Sequence, residues 1–471
     1  MRASAQRASE PRIALVAATT AFTLVILGTT VVNVALPSIR AEFGSSVAGL
    51  QWVINGYTLM LASLLLSMGA MCDKRGARPV MLGGVTVFVL GALVSLAAPS
   101  LAVLLTGQVL LGTGAAALLP ASLALLSDAY PDDRRRARAI AIFASASAVA
   151  IGLGPVLGGL LIDSLGWRAI FGLDVPLAVI IGLLVAAHRP RAAPTLAKGL
   201  DGFGQVTAIL SLGALTFAVI QSGSSGWLAA PVLGPLAVAV GAAFAFVAIE
   251  RAGREPMLPL SIFASRAFNC SSVSGLLINF GVYGQFFVLS LYLQELRGLS
   301  PLQVGVVFLV QPGTAALTSL AAGAITVRRG PRIPAVTGGA LATAGTLAIA
   351  GIDAHTPLAQ IVGGLALLGA GGGLTIPALT TAIVSASARR RVGVAAATFT
   401  ASRQIGGILG VAVLGALVGQ PVGLPGLHTA VLVAAGVLAA AALLGLLVAP
   451  DGPGAEADTM TVIEAVAASE G

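Results

Sequence analysis

Charge is what this chain has least of. Asp, Glu, Lys and Arg make up 9% of its 471 residues, while 57% are hydrophobic. That balance excludes a water-soluble domain with an ordinary charged surface. Lysine is reduced to Lys74 and Lys198. This arginine bias, with abundant Ala, Gly, Val and Leu, hints at a GC-rich bacterial genome. Only three histidines and two cysteines occur, and no His, Cys or carboxylate cluster has metal-ligand spacing. His188, His355 and His428 fall at segment ends, and the placing of Cys72 and Cys270 near the same ends of their segments argues against a disulfide framework. There is no lysine-bearing glycine loop for phosphate, and no polar stretch the size of an ATP-hydrolysing domain. No cofactor, metal or covalent chemistry is expected, so the chain is not expected to be an enzyme.

What is present is apolar sequence in long runs. Fourteen stretches are each about long enough to cross roughly 30 Å of hydrocarbon, and none reads as a removable leader. They run 13–36, 50–71, 80–98, 101–126, 140–162, 169–185, 203–220, 228–249, 270–291, 304–327, 333–352, 358–382, 394–418 and 429–448. The expected fold is therefore an all-α polytopic membrane protein. Of the 26 basic residues, all but Arg40, Arg168, Arg297 and Arg403 fall on alternate loops or at the N-terminus. The positive-inside rule makes that side cytoplasmic, with both termini inside. The formal charge of +8 is thus spread one cluster per loop, as topology requires, and carries no nucleic-acid signal. A lipid bilayer is the expected partner.

One loop occurs twice. Residues 69–78 read Gly-Ala-Met-Cys-Asp-Lys-Arg-Gly-Ala-Arg, and residues 323–332 repeat Gly, Gly and Arg at the same offsets, with Val327 in the place of Asp73. Parallel repeats of six-span halves mark one transporter architecture. If span 2 matches span 10, the chain divides into a cytoplasmic N-terminus (1–12), a six-helix bundle (13–188), a linker with two extra helices (189–250), a second six-helix bundle (251–449) and a disordered acidic tail (450–471).

With these residues assembled, the chain resembles a major facilitator superfamily transporter of the fourteen-helix drug:proton antiporter group. The 69–78 loop is similar to that superfamily's signature cytoplasmic loop, with Gly69, Asp73, Gly76 and Arg78 in place. Asp128, Arg134 and Arg135 resemble its charge partners, and the resemblance implies a conformational latch; the plainer alternative is a solvated loop. On helix 5, Ala150, Gly154, Pro155, Gly158 and Gly159 resemble the antiporter motif, a helix seam that serves packing, gating or both. Gln51-Trp52, Tyr57, residues 167–171, and Arg403, Gln404, Gly406, Gly407 and Gly410 are also family-like. The implied fold is the major facilitator fold: two six-helix bundles plus two inserted helices, 14 transmembrane helices.

Two departures stand out. The family's helix 1 aspartate is Gly28 here, before an intact 29–37 run, and its helix 4 arginine is Gln108, before Gly112 and Gly114. At about 1.5 Å per residue these positions lie at similar depths, roughly 12 and 10 Å in. Losing one member of a buried pair strands an ion at a cost of about 3–5 kcal/mol, which favours replacement of the pair as a unit over chance divergence in a nonfunctional copy. A carboxylate remains at Asp174, which either reaches the outer interface or takes part in coupling. Arg403 falls mid-span, where its partner is a helix dipole, an amide such as Gln404 or Gln311, backbone carbonyls, or an anionic substrate group. Asn33, Asn55, Tyr57, Gln108, Asn279, Gln285 and Gln311 complete the candidate cavity wall, as helix–helix bonds or as contacts to neutral or weakly polar molecules.

The expected function is secondary active export of small amphiphilic compounds, antibiotics or drugs, by alternating access. Coupling to protons is what the resemblance implies, although its usual charge pair is absent. A metabolite uptake carrier or uniporter, and a non-transporting membrane sensor, are the alternatives. The expected setting is a bacterial inner membrane, with the chain acting as a monomer.

Overall fold

The computed structural model describes residues 2–188, 201–253, 258–387, 392–419 and 422–448. The basic residues expected in loops 189–200, 254–257 and 388–391, and the acidic tail, lie outside them. Fourteen α-helices are described: α1 (Arg2–Phe43), α2 (Val47–Arg75), α3 (Ala77–Leu96), α4 (Leu101–Ala129), α5 (Asp133–Leu165), α6 (Ala169–Ala187) and α7 (Gly202–Ser225). The series continues with α8 (Ala230–Ala252), α9 (Arg266–Leu291), α10 (Pro301–Arg329), α11 (Arg332–Ala348), α12 (Leu358–Ser385), α13 (Val392–Val418) and α14 (Leu424–Gly445). A π-helical turn, Tyr292–Leu296, extends α9.

Among the described residues, twelve of these helices are long and apolar enough to cross a membrane, all but α5 and α11. Among the described residues of α5 the apolar run is the shorter Val149–Leu165. Helix α11 is 17 residues long, about 26 Å, and ends at Ala348 rather than carrying on to 352. Large apolar side chains cover the outside, among them Leu183, Phe203, Leu228, Phe244 and Leu320. In water such a surface would aggregate; here it is the face that meets lipid.

Two sets of six helices pack in corresponding pairs. Contacts of α1 with α5, α2 with α4, α3 with α4 and α3 with α6 are matched by α9 with α13, α10 with α12, α11 with α12 and α11 with α14. The sets meet where α2 packs on α13 and α5 on α10. The repeated loop is matched in backbone as well: Gly76 (φ 85°) and Gly330 (φ 78°) end α2 and α10 in the positive-φ region that favours glycine. Helix α7 lies against both α2 and α13, with Trp52, Leu212 and Ile408 in one apolar cluster, while α8 packs on α7.

Candidate functional site

The arginine-rich loops mark one end of the molecule, here the basic end; the opposite end is the far end. Polar contacts between the two six-helix sets gather toward the far end. Arg40 of α1 pairs with Glu295 of the π turn at 2.7 Å. Ser290 donates to the Asn33 carbonyl (2.5 Å) and Gln294 to that of Val34 (3.1 Å). Gln51 reaches the carbonyls of Val411 and Ala412 at 2.8 and 2.7 Å, and Asp163 accepts from Ser300 and from the Leu302 N–H. The glycines of the helix 5 motif allow this approach. A Cβ at Gly158 would lie 2.8 Å from Val31 Cγ1, and one at Gly159 2.6 Å from Leu302 Cα. The motif's Gly154 faces Thr30, and Pro155 faces Gly305 of α10. Toward the far end the two sets meet through small residues and a few polar contacts.

The sequence reading expects the candidate amides and Tyr57 to line a cavity wall. Two of the cavities among the described residues hold candidate site residues. The smaller, about 30 Å³, lies within the first six helices and has room for roughly one water. Gly28, Tyr57, Gln108 and Asp174 all line it. The two departures from the family pattern and the one nearby acid thus share a single chamber. Tyr57 is buried and donates to the Val25 carbonyl at 2.9 Å. Its ring stands where a side chain at position 28 would go, since a Cβ there would be 3.1 Å from the Tyr57 oxygen. Gln108 is buried, and its Nε2 has no partner among the described residues. Asp174 faces this chamber; the only other titratable group lining it is Tyr57.

The larger cavity, about 250 Å³, is built by α9, α10, α12 and α13, with Thr30 and Ile151 reaching in from the first set. For scale, about 150 Å³ of apolar cavity takes up a benzene ring. Asn279, Gln311 and Arg403 line it, as expected of candidate site residues, and Tyr283, Phe286 and Ser319 join them. Arg403 Nε donates to Asn279 Oδ1 over 3.4 Å, a long bond, and its guanidinium lies 5.8 Å from the Phe399 ring centre. The walls are apolar: Ile278, Val282, Leu368 and Phe286, which packs edge-on against Phe308 at 4.9 Å.

Four of the expected wall residues line neither cavity. Asn33 donates to the Thr29 and Thr30 carbonyls of its own helix, and Gln285 to Thr346 Oγ1 at 2.9 Å, joining α9 to α11. Asn55 is fully buried, with neither amide atom partnered among the described residues, and Gln404 is half-buried on α13. Residue type alone could not separate cavity amides from packing amides. Tyr283 and Phe286 were missed for the opposite reason, since an aromatic on an apolar helix carries no functional signal.

At the basic end, Arg78 donates to the Val185 and Ala186 carbonyls at 3.2 and 2.7 Å, capping the C-terminus of α6. This is a different partner from Asp128, which lies 4.0 Å from His188. Asp73 and Arg134 are exposed. Cys72 and Cys270 are unpaired thiols.

Residues 18–268 and 271–462 match the model of the Major Facilitator Superfamily. The multidrug resistance protein Stp of Mycobacterium tuberculosis is 34% identical over 84% of this chain and 73% of its own length. The methylenomycin A resistance protein of Streptomyces coelicolor is 33% identical (86% and 85% covered), and the cephamycin export protein CmcT of Amycolatopsis lactamdurans 34% (87% and 85%). In fold, the chain superimposes on an inward-facing, unoccupied bacterial homologue of the human lysosomal transporter Spinster. The TM-score is 0.67 at 19% identity, with 93% and 97% of the two chains covered.

Proposed function

We propose that this chain, which belongs to the Major Facilitator Superfamily and so is a multi-pass membrane transporter rather than an enzyme, exports small amphiphilic compounds by alternating access. The observation that carries the reading is the asymmetry between the two ends: polar contacts between the two sets gather at the far end, above an apolar cavity. That is how a carrier open on the basic side is built. Arginine distribution makes the basic side cytoplasmic, in a bacterial inner membrane. The names of the curated relatives supply the direction and the kind of cargo.

The moving units are residues 13–188 and 251–449. The inserted pair within 189–250 acts as a strap, since α7 touches α2 on one side and α13 on the other. Gly69, Asp73, Gly76 and Arg78, with Asp128 and Arg134, form the latch that steadies the opposite, outward-open state. Arg78 capping α6 is the part of that device engaged in the state seen here. The chain works as a monomer.

Protons drive the cycle through Asp174. The chamber that has lost the acid of α1 and the base of α4 is lined by this one carboxylate, supplied by α6 instead. The test is flux in proteoliposomes under an imposed pH gradient. Wild-type export should rise with the gradient and collapse with a protonophore. Asp174→Asn should still bind cargo but lose the gradient response; a gradient response that survived Asp174→Asn would remove the coupling role.

A further inference from the structure

We propose that the larger cavity is a binding site for an organic anion: a compact apolar molecule carrying one carboxylate or an equivalent acid. This inference rests on the exporter reading and names its substrate class. It starts from the counter-charge that Arg403 lacks. Across residues 268–448 the only acids are Glu295 and Asp353. Both stand at the far end, and both are engaged. Glu295 is paired with Arg40. The Asp353 carboxylate is held below the usual carboxylate range by the His355 N–H and the Thr356 hydroxyl. Arg403 is 15 residues before the far end of α13, so about 22 Å separates it from that level. Neither acid reaches it, and a guanidinium does not discharge by losing its proton.

The groups around Arg403 are arranged as donors. Asn279 gives its Oδ1 to Arg403 Nε, which leaves the buried Nδ2 without a partner among the described residues. The guanidinium's two terminal nitrogens and this amide therefore offer hydrogens to the cavity. Across it, Gln311 Oε1 has no partner among the described residues and can accept a ligand hydroxyl or N–H. Planar, bidentate donation is what guanidinium offers a carboxylate, and the apolar walls exclude water that would weaken the pair. A neutral cargo would leave the charge unanswered. An amphiphilic acid answers it and fills the apolar volume as well.

The probes are 1-naphthylacetate and its neutral amide, 1-naphthylacetamide, which share one ring system. Binding is measured by isothermal titration on the purified full-length protein in uncharged detergent. The wild type should favour the acid by about tenfold or more, the range of a charge-assisted hydrogen bond. Arg403→Gln should bring the two affinities together, and Arg403→Lys should restore part of the preference. Gly372→Leu supplies an independent arm. A Cβ at Gly372 meets open space in this cavity, so the added side chain enters the site and should weaken both probes alike. Equal affinities in the wild type, or a preference that survives Arg403→Gln, would overturn the proposal. So would displacement of the probe by chloride alone, which would make this an inorganic-anion site. Flux tests separate this claim from the exporter reading. Export of neutral compounds with no acid preference sinks the anion site alone, whereas an intact acid preference in a protein without flux sinks the exporter reading alone.

Discussion

Restoring an aspartate on α1 tests how thoroughly the missing charge pair was replaced. In Gly28→Asp the new Cβ sits 3.1 Å from the Tyr57 oxygen and 3.2 Å from Cζ, closer than ordinary contact, and the carboxylate extends beyond it. Tyr57 cannot step aside cheaply, being 3% exposed and bonded to the Val25 carbonyl. Overpacking of this kind costs about 1–3 kcal/mol. An unpaired ion in the same chamber adds about 3–5 kcal/mol, and the new acid also shares the space with Asp174. Adding Gln108→Arg supplies a counter-ion at a position whose Nε2 has no partner to lose among the described residues. The double variant should regain most of the ionic cost, about 3 kcal/mol, but none of the steric cost. Thermal unfolding in detergent, with monodispersity checked by size exclusion, should rank wild type above the double variant and the double above the single. A single variant as stable as wild type, or a double no better than the single, would refute the reasoning.

Three further outcomes follow from the same geometry. Glu295→Gln removes the partly exposed far-end pair with Arg40. Such pairs contribute up to about 1 kcal/mol, so the closed far end should lose population by at most about fivefold. Spin labels at positions 100 and 355, in a background without Cys72 and Cys270, would report this as a longer distance; an unchanged distance distribution would deny the pair a closing role. Asp73→Asn should cut flux about tenfold or more while probe binding stays intact, and wild-type flux in that variant would dispose of the latch. Gly158→Ala places its methyl 2.8 Å from Val31 Cγ1; it should lower thermal stability by about 1–3 kcal/mol and slow flux more than it weakens binding. A methyl tolerated without either effect would mean that the seam is loose.

The fold was largely legible because its signals are collective. Runs of apolar residues, arginines on alternate loops and a loop repeated 254 residues apart each depend on many positions, and one substitution cannot erase them. Legibility failed where a single element sat near a threshold. The early end of α11 at Ala348 is a local feature that a count of spans passes over. The site was legible in part. Gly28, Gln108 and Asp174 were singled out at similar depths, and they do share a chamber. Depth along a helix says nothing of azimuth, however. Asn33 and Gln285 lie on the right helices, yet turn toward packing partners.

The two cavities are divided by one wall, and its construction bears on how they communicate. Adjacent residues of α1 face opposite ways: Thr30 lines the larger cavity and Val31 the smaller. On α5, Ile151 faces the larger and Gly158 the smaller. Gly154 and Gly158 then press α5 onto Thr30 and Val31 themselves. A displacement of α1 beside Asp174 therefore moves the surface that cargo would touch near Arg403. Helices in such close contact have few intermediate arrangements, because interdigitated packing is bistable rather than continuously deformable. With a carboxylate on one side of the wall and a guanidinium on the other, a proton and an anionic cargo need never meet. On the proposed reading, this shared wall is the route by which occupancy of one chamber acts on the shape of the other.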